Sequence, residues 1–134
     1  EVGAELATGG GHGGMETGFY YEPTLMVGCR PEMEPVREEF FGPVIVVVPF
    51  EDDDEAVEIA NDSDYGLYSY VFSADAGRGW SIAKRLRSGN VGINTLQRNH
   101  EAPFGGCKQS GVGRDGGSYG LLAYSELQSI IWST

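Results

Sequence analysis

Long apolar runs are missing from this sequence, as are closely spaced cysteines and any excess of positive charge. No uninterrupted apolar stretch approaches the roughly 20 residues a membrane-spanning helix needs, and no basic start followed by an apolar run resembles a secretory leader. A water-soluble protein with no membrane partner is expected. Against 20 Asp and Glu there are 9 Lys and Arg, a formal net charge of −11, which opposes sequence-independent attraction to nucleic acid phosphates or anionic lipid. The two cysteines, Cys29 and Cys107, lie far apart without His or Cys at metal-ligand spacing. Neither a disulfide framework nor a metal site is therefore expected, and a reducing cytoplasm is the expected compartment.

What the sequence does have is glycine: 21 among 134 residues, concentrated in Gly9–Gly14 and again from Gly105 to Gly120. Two loop regions follow from this. The first, GGGHGG, lacks the Lys-Ser/Thr ending of a phosphate-binding loop and reads as a flexible hairpin tip with His12 exposed. Twelve of the acids fall between Glu32 and Asp64 and seven of the bases between Arg78 and Arg114, the pattern of one acidic and one mixed solvated face. With 40% hydrophobic residues, the chain can build one modest core.

Between the glycine clusters the pattern is regular. The β-branched run Val44 to Val48 fits a strand covered on both faces. Asp52 and Glu55 fit an N-cap and its capping-box partner, predicting a helix from about Asp53 to Ala60 with Ala56, Val57 and Ala60 inward. Leu67 to Phe72 reads as a second strand. Asp75 would cap a second helix with Ala76, Trp80, Ala83 and Leu86 on one stripe, ended by Gly89. Val91 to Asn94 reads as a third strand. The order β-α-β-α-β predicts an α/β fold with neighbouring parallel strands, whose ligands collect beyond the carboxyl ends of the strands, here near Asn94 and the loop after it. The first 30 residues have the content for one or two further strands. Tyr124 to Trp132 reads as a last strand without an obvious partner in the chain, which suggests pairing with another chain or another part of the protein.

Three motifs, in order along the chain, resemble those of the NAD(P)-dependent aldehyde dehydrogenase superfamily. Glu38-Glu39-Phe40-Phe41-Gly42-Pro43-Val44 is similar to Glu-Glu-x-Phe-Gly-Pro-Val. Asn61-Asp62, with Tyr65-Gly66-Leu67, is similar to Asn-Asp-x-x-Tyr-Gly-Leu. Pro103-Phe104-Gly105-Gly106, with Lys108, Ser110-Gly111 and Gly113-Arg114, resembles Pro-Phe-Gly-Gly-x-Lys-x-Ser-Gly-x-Gly-Arg. Tyr20 to Thr24 also resembles an upstream Pro-Thr strand of the family.

The resemblance implies a parallel-sheet βαβαβ segment from the later part of the catalytic domain, residues 1–123, followed by a C-terminal oligomerisation strand, residues 124–134. The complete enzyme would oxidise an aldehyde to a carboxylic acid with NAD or NADP and form a homo-oligomer. In the family the nucleophilic cysteine and the glutamate base lie upstream of the matching region, so the isolated chain is expected to be inactive and no catalytic residue is assigned. Cys29 lacks the Gly-Gln-x-Cys surroundings of the nucleophile. Cys107 holds a variable position between the Gly-Gly pair and Lys108.

The resemblance also implies that Glu39 accepts hydrogen bonds from the nicotinamide ribose, a role suited to an acceptor-only carboxylate, that Phe41 packs beside that ribose, and that Phe104 lines the substrate tunnel. The plainer alternatives are a surface acid, a core side chain at a strand entrance and a loop anchor. Phe40 stands where a branched aliphatic is usual, and Thr95 to Ala102 corresponds to a connector that varies with substrate, so the aldehyde stays open. Two rival functions differ in class. A non-catalytic interaction module would pair through the terminal strand; a flavodoxin-like nucleotide-binding domain would need a phosphate loop after a strand, and none is present.

Overall fold

The computed structural model describes residues 3–133, so the outer ends of the two expected ranges, at residues 1 and 134, lie outside it. The chain divides into two compact units, Glu1–Asp62 and Ser63–Thr134.

In the first unit, β1 (Glu5–Thr8) runs antiparallel to β2 (Thr24–Val27), with an irregular register between Leu6 and Thr8. The glycine-rich stretch is the loop between them, as its composition predicts. β2 in turn pairs in parallel with β3 (Val44–Val46), Thr24 opposite Val44 and Met26 opposite Val46. Between β2 and β3 lies α1 (Glu34–Arg37), a single turn with a proline at its start, where a missing N–H costs nothing. α2 (Asp53–Asn61) closes the unit. Asp52 caps it as expected, Oδ1 accepting from the N–H groups of Asp54 at 3.0 Å and Glu55 at 2.9 Å, while Glu55 reaches back to the N–H of Glu51 rather than of the cap itself. Arg37 joins α1 to the end of α2, donating to the Asp62 carbonyl and carboxylate at 2.7 Å each.

The core here is small: Cys29, Met33 and Val57, with Thr24 as its polar member. Val57 is inward as expected, but Ala60 is exposed. The β3 expectation also needs correction, because Ile45 is 64% exposed and the chain itself does not cover both faces.

In the second unit, β4 (Tyr68–Val71) and β5 (Asn90–Ile93) pair in parallel, Tyr68 opposite Asn90 and Val71 opposite Ile93, connected through α3 (Ala76–Ala83). Asp75 caps α3 by accepting from the Arg78 N–H at 3.0 Å. The expected stripe holds in its second half only: Ala83 and Leu86 are half-buried, whereas Ala76 and Trp80 are exposed and Gly79 is the buried position, with Ile82 half-buried beside it. A Cβ on Gly79 would stand 3.2 Å from the Ile93 side chain, so a glycine lets the helix lie close on β5. α3 also stops at Ala83, before the expected Gly89. A short 3-10 turn (Lys108–Ser110) and α4 (Gly117–Leu122) complete the unit.

The α/β class with parallel pairing holds. The expected run of three neighbouring parallel strands does not, because β3 takes β2 as its parallel partner and β4 takes β5. The expected strand over Tyr124–Trp132 has no ladder partner among the described residues. No helix among the described residues is long and apolar enough to cross a membrane.

Candidate functional site

The segment carrying Glu39 and Phe41 leaves α1 and enters β3 through two tight backbone contacts, Gly42 N–H to the Phe40 carbonyl at 2.7 Å and Val44 N–H to the Gly42 carbonyl at 2.8 Å. The Thr24 N–H donates to the Pro43 carbonyl at 2.8 Å, which fixes the end of the segment to the central strand. Thr24 itself is buried, donating through Oγ1 to the Glu22 carbonyl and accepting from the Gly10 N–H. The Pro-Thr motif thus anchors the glycine loop and the Glu39 segment on one strand.

Held this way, Phe41 projects almost entirely into solvent, at 99% exposure. The alternative of a core side chain is excluded within the described chain. Beside it an apolar concavity of about 580 Å³ is lined by Leu6, Tyr21, Met26, Phe40, Phe41 and Pro43, among others. Glu39 is exposed two residues before Phe41 and belongs to neither the Arg30–Glu32 nor the Arg37–Asp62 salt bridge. An exposed acceptor-only carboxylate two residues from an uncovered aromatic ring offers the two group types a sugar uses, an acceptor for its hydroxyls and a face for its apolar side. The Glu32 carboxyl on the way into α1 is held below the usual glutamate range by the hydrogen bond it accepts from Arg30 at 2.6 Å.

The second unit holds its candidate residue differently. Phe104 bridges to Asp115, N–H to carbonyl in both directions, at 2.7 and 2.6 Å. The loop around it is tied down along its length. Asn90 Nδ2 donates to the Gly105 carbonyl at 3.0 Å, Arg114 to the Gly106 carbonyl at 2.7 Å, and Lys108 Nζ to the Ser63 carbonyl at 2.7 Å. Ser110 Oγ accepts from the Gly66 N–H at 3.0 Å. The second and third motifs therefore lock onto each other, and Lys108, Ser110 and Arg114 shape the loop. Gly89 is part of this contact, since a Cβ there would collide with the Gly105 carbonyl oxygen.

The half-buried Phe104 ring lies 6.4 Å from Tyr68, which stacks on Tyr70 at 4.4 Å. The Arg98 guanidinium lies over it, 3.6 Å from the ring centroid. A cavity of about 230 Å³ opens there, lined in part by Phe104, Tyr68, Arg98, Thr95, Gln97 and Asn99. Motif matching finds Phe104 and passes over Arg98, which lies in the variable connector; a lone cation in that stretch was the available signal. Asn94, at the carboxyl end of β5, adopts φ 52°. Its side chain accepts from the Ser73 N–H and donates to the Ser73 carbonyl, both at 2.8 Å, so it fixes the turn from the strand into that connector.

Both cysteines are free thiols in structural settings. Cys29 is buried; Cys107 is half-buried, its single S–H within donating distance of the Arg87 carbonyl at 3.1 Å and the Gly66 carbonyl at 3.4 Å. Among the described residues no cluster of His, Cys, Asp and Glu could hold a metal ion.

The model of the aldehyde dehydrogenase family matches residues 1–130. A 3-succinoylsemialdehyde-pyridine dehydrogenase of a Pseudomonas species is 43% identical over 131 residues, covering 96% of this chain and 28% of its own length. An aldehyde dehydrogenase of Bacillus cereus in complex with NAD+ superposes with a TM-score of 0.89 at 43% identity, over 96% of this chain and 26% of that one. A betaine aldehyde dehydrogenase of Staphylococcus aureus in complex with NAD+ gives 0.84 at 43% identity, over 91% and 25%. This chain thus spans little more than a quarter of the relatives it matches, and by motif order, fold and identity it belongs to the aldehyde dehydrogenase family.

Proposed function

We propose that this chain serves as the later part of an enzyme that oxidises an aldehyde to a carboxylic acid with a nicotinamide dinucleotide. The supporting observation is the segment from Glu39 to Phe41, where a carboxylate and, two residues on, a fully exposed ring that borders an apolar concavity are both open to solvent. NAD, present in complexes of two structural relatives, fits that pair. Glu39 would accept from the nicotinamide ribose hydroxyls and Phe41 would pack beside the ribose. When bound, the nicotinamide supplies a hydride acceptor. Phe104 would form an apolar wall for the aldehyde and keep water from its far side.

No catalytic role falls to Cys29, which is buried, or to Cys107, whose thiol is engaged with backbone carbonyls. The isolated chain is therefore proposed to be inactive. Residues 1–123 form the catalytic-domain part of this reading, and residues 124–134 an oligomerisation segment. The latter assignment is favoured by Tyr124, Leu127, Ile130, Ile131 and Trp132, all 73% exposed or more, an apolar surface that association would remove from water. The same observation favours the second reading, an interaction module that pairs through this segment. Two free thiols suit a reducing cytoplasm.

NADH formation from propanal separates the readings. The enzyme carrying this chain at full length is expected to produce NADH, and the purified 134-residue chain none. Turnover by the chain alone that is lost on Cys107→Ser would overturn the assignment of the thiols, and no turnover at full length would favour the interaction module.

A further inference from the structure

The Phe104 ring carries a cation on its face. The Arg98 Cζ stands over the ring, 3.6 Å from its centroid, a contact with the π-face that leaves guanidinium N–H groups able to donate. Arg98 belongs to neither the Arg30–Glu32 nor the Arg37–Asp62 salt bridge. The cavity it borders is lined by aromatic, aliphatic and neutral polar groups, among them Thr95, Gln97, Asn99 and Asn90, and by no carboxylate. One uncompensated cation with a fork of donors, at the edge of a small cavity walled by Phe104, is a receptor for a planar anion.

We propose that Arg98 is a specificity-determining residue that selects aldehydes bearing a carboxylate at the end remote from the carbonyl. This rests on the aldehyde-oxidising role proposed above for Phe104 and its cavity. The aromatic face holds the guanidinium in position before substrate arrives, so little side-chain freedom is lost on pairing with the carboxylate. Asn94, clamped to the Ser73 backbone through its side-chain amide, Oδ1 accepting from the N–H and Nδ2 donating to the carbonyl, sets the start of the connector that carries Arg98. A substrate with a quaternary ammonium at the same end would meet like charge.

The test is kcat/KM of the full-length enzyme for 4-oxobutanoate, butanal and betaine aldehyde, in the wild type and in Arg98→Met, Arg98→Lys and Arg98→Glu. The wild type is expected to favour 4-oxobutanoate over butanal by about tenfold or more, the scale of one charge-assisted bidentate contact. Arg98→Met should erase that preference through KM rather than kcat. Arg98→Lys should retain part of it, and Arg98→Glu should shift preference towards betaine aldehyde, which a purely structural arginine would not do. Equal use of 4-oxobutanoate and butanal by the wild type, or a preference that survives Arg98→Met, would overturn the proposal. If none of the three is oxidised, the aldehyde reading fails on its own. Calorimetric titration with succinate then decides the carboxylate site: saturable binding lost in Arg98→Met supports it, and no binding by the wild type overturns it.

Discussion

The two units treat their candidate residues in opposite ways. In Glu1–Asp62, Glu39 and Phe41 sit on an irregular segment fixed at one end and open to solvent, beside apolar side chains the unit leaves uncovered. In Ser63–Thr134, Phe104 is fixed by a backbone bridge and an arginine on its ring, within a loop secured by side-chain hydrogen bonds. The first arrangement stores little of its own folding energy in the candidate residues; the second cannot lose its loop geometry without losing packing. A residue kept for a partner outside the unit is cheap to replace when stability is measured, whereas one built into a loop lattice is not.

This contrast makes unequal stability effects. Gly89→Ala should be the most damaging, because its Cβ would meet the backbone oxygen of Gly105, which no rotamer change relieves. A loss of about 3 kcal/mol is expected, measured by urea unfolding, and a loss below about 1 kcal/mol would show that the loop is not locked as described. Asn94→Ala removes two hydrogen bonds to Ser73 and leaves an alanine at positive φ. It should lose about 1–2 kcal/mol and quicken proteolytic cleavage within 95–102. Phe41→Leu should shift stability by no more than about 0.5 kcal/mol, the scale of an exposed substitution. A loss as large as that of Asn94→Ala would erase the difference between the units.

Much of this molecule was legible locally. Asp52 and Asp75 announce their helices because capping depends on the next three residues, and β4-α3-β5 follows from pattern and order. Strand pairing was not legible, since the choice of β2 over β4 as the partner of β3 is made across the chain. Trp80 misled the phase of α3 because hydropathy favours burying tryptophan, while close approach to Ile93 demands the smallest residue at Gly79. α4 escaped notice because it begins in glycines, which disfavour helices. Glu39, Phe41 and Phe104 came from motif resemblance alone. Nothing in composition distinguishes Glu39 from Glu38, and Arg98 becomes visible once Phe104 lies beneath it.

The claim that the first unit presents its open segment to a cofactor is tested most directly by single-turnover hydride transfer in the full-length enzyme carrying Glu39→Gln. An amide accepts hydrogen bonds less strongly than a carboxylate, and a slightly misplaced nicotinamide reacts slowly. The expected result is hydride transfer slowed about tenfold to a hundredfold, with adenine nucleotide affinity changed by less than about threefold. An unaltered rate of hydride transfer would contradict a cofactor role for Glu39 and return it to the surface acids.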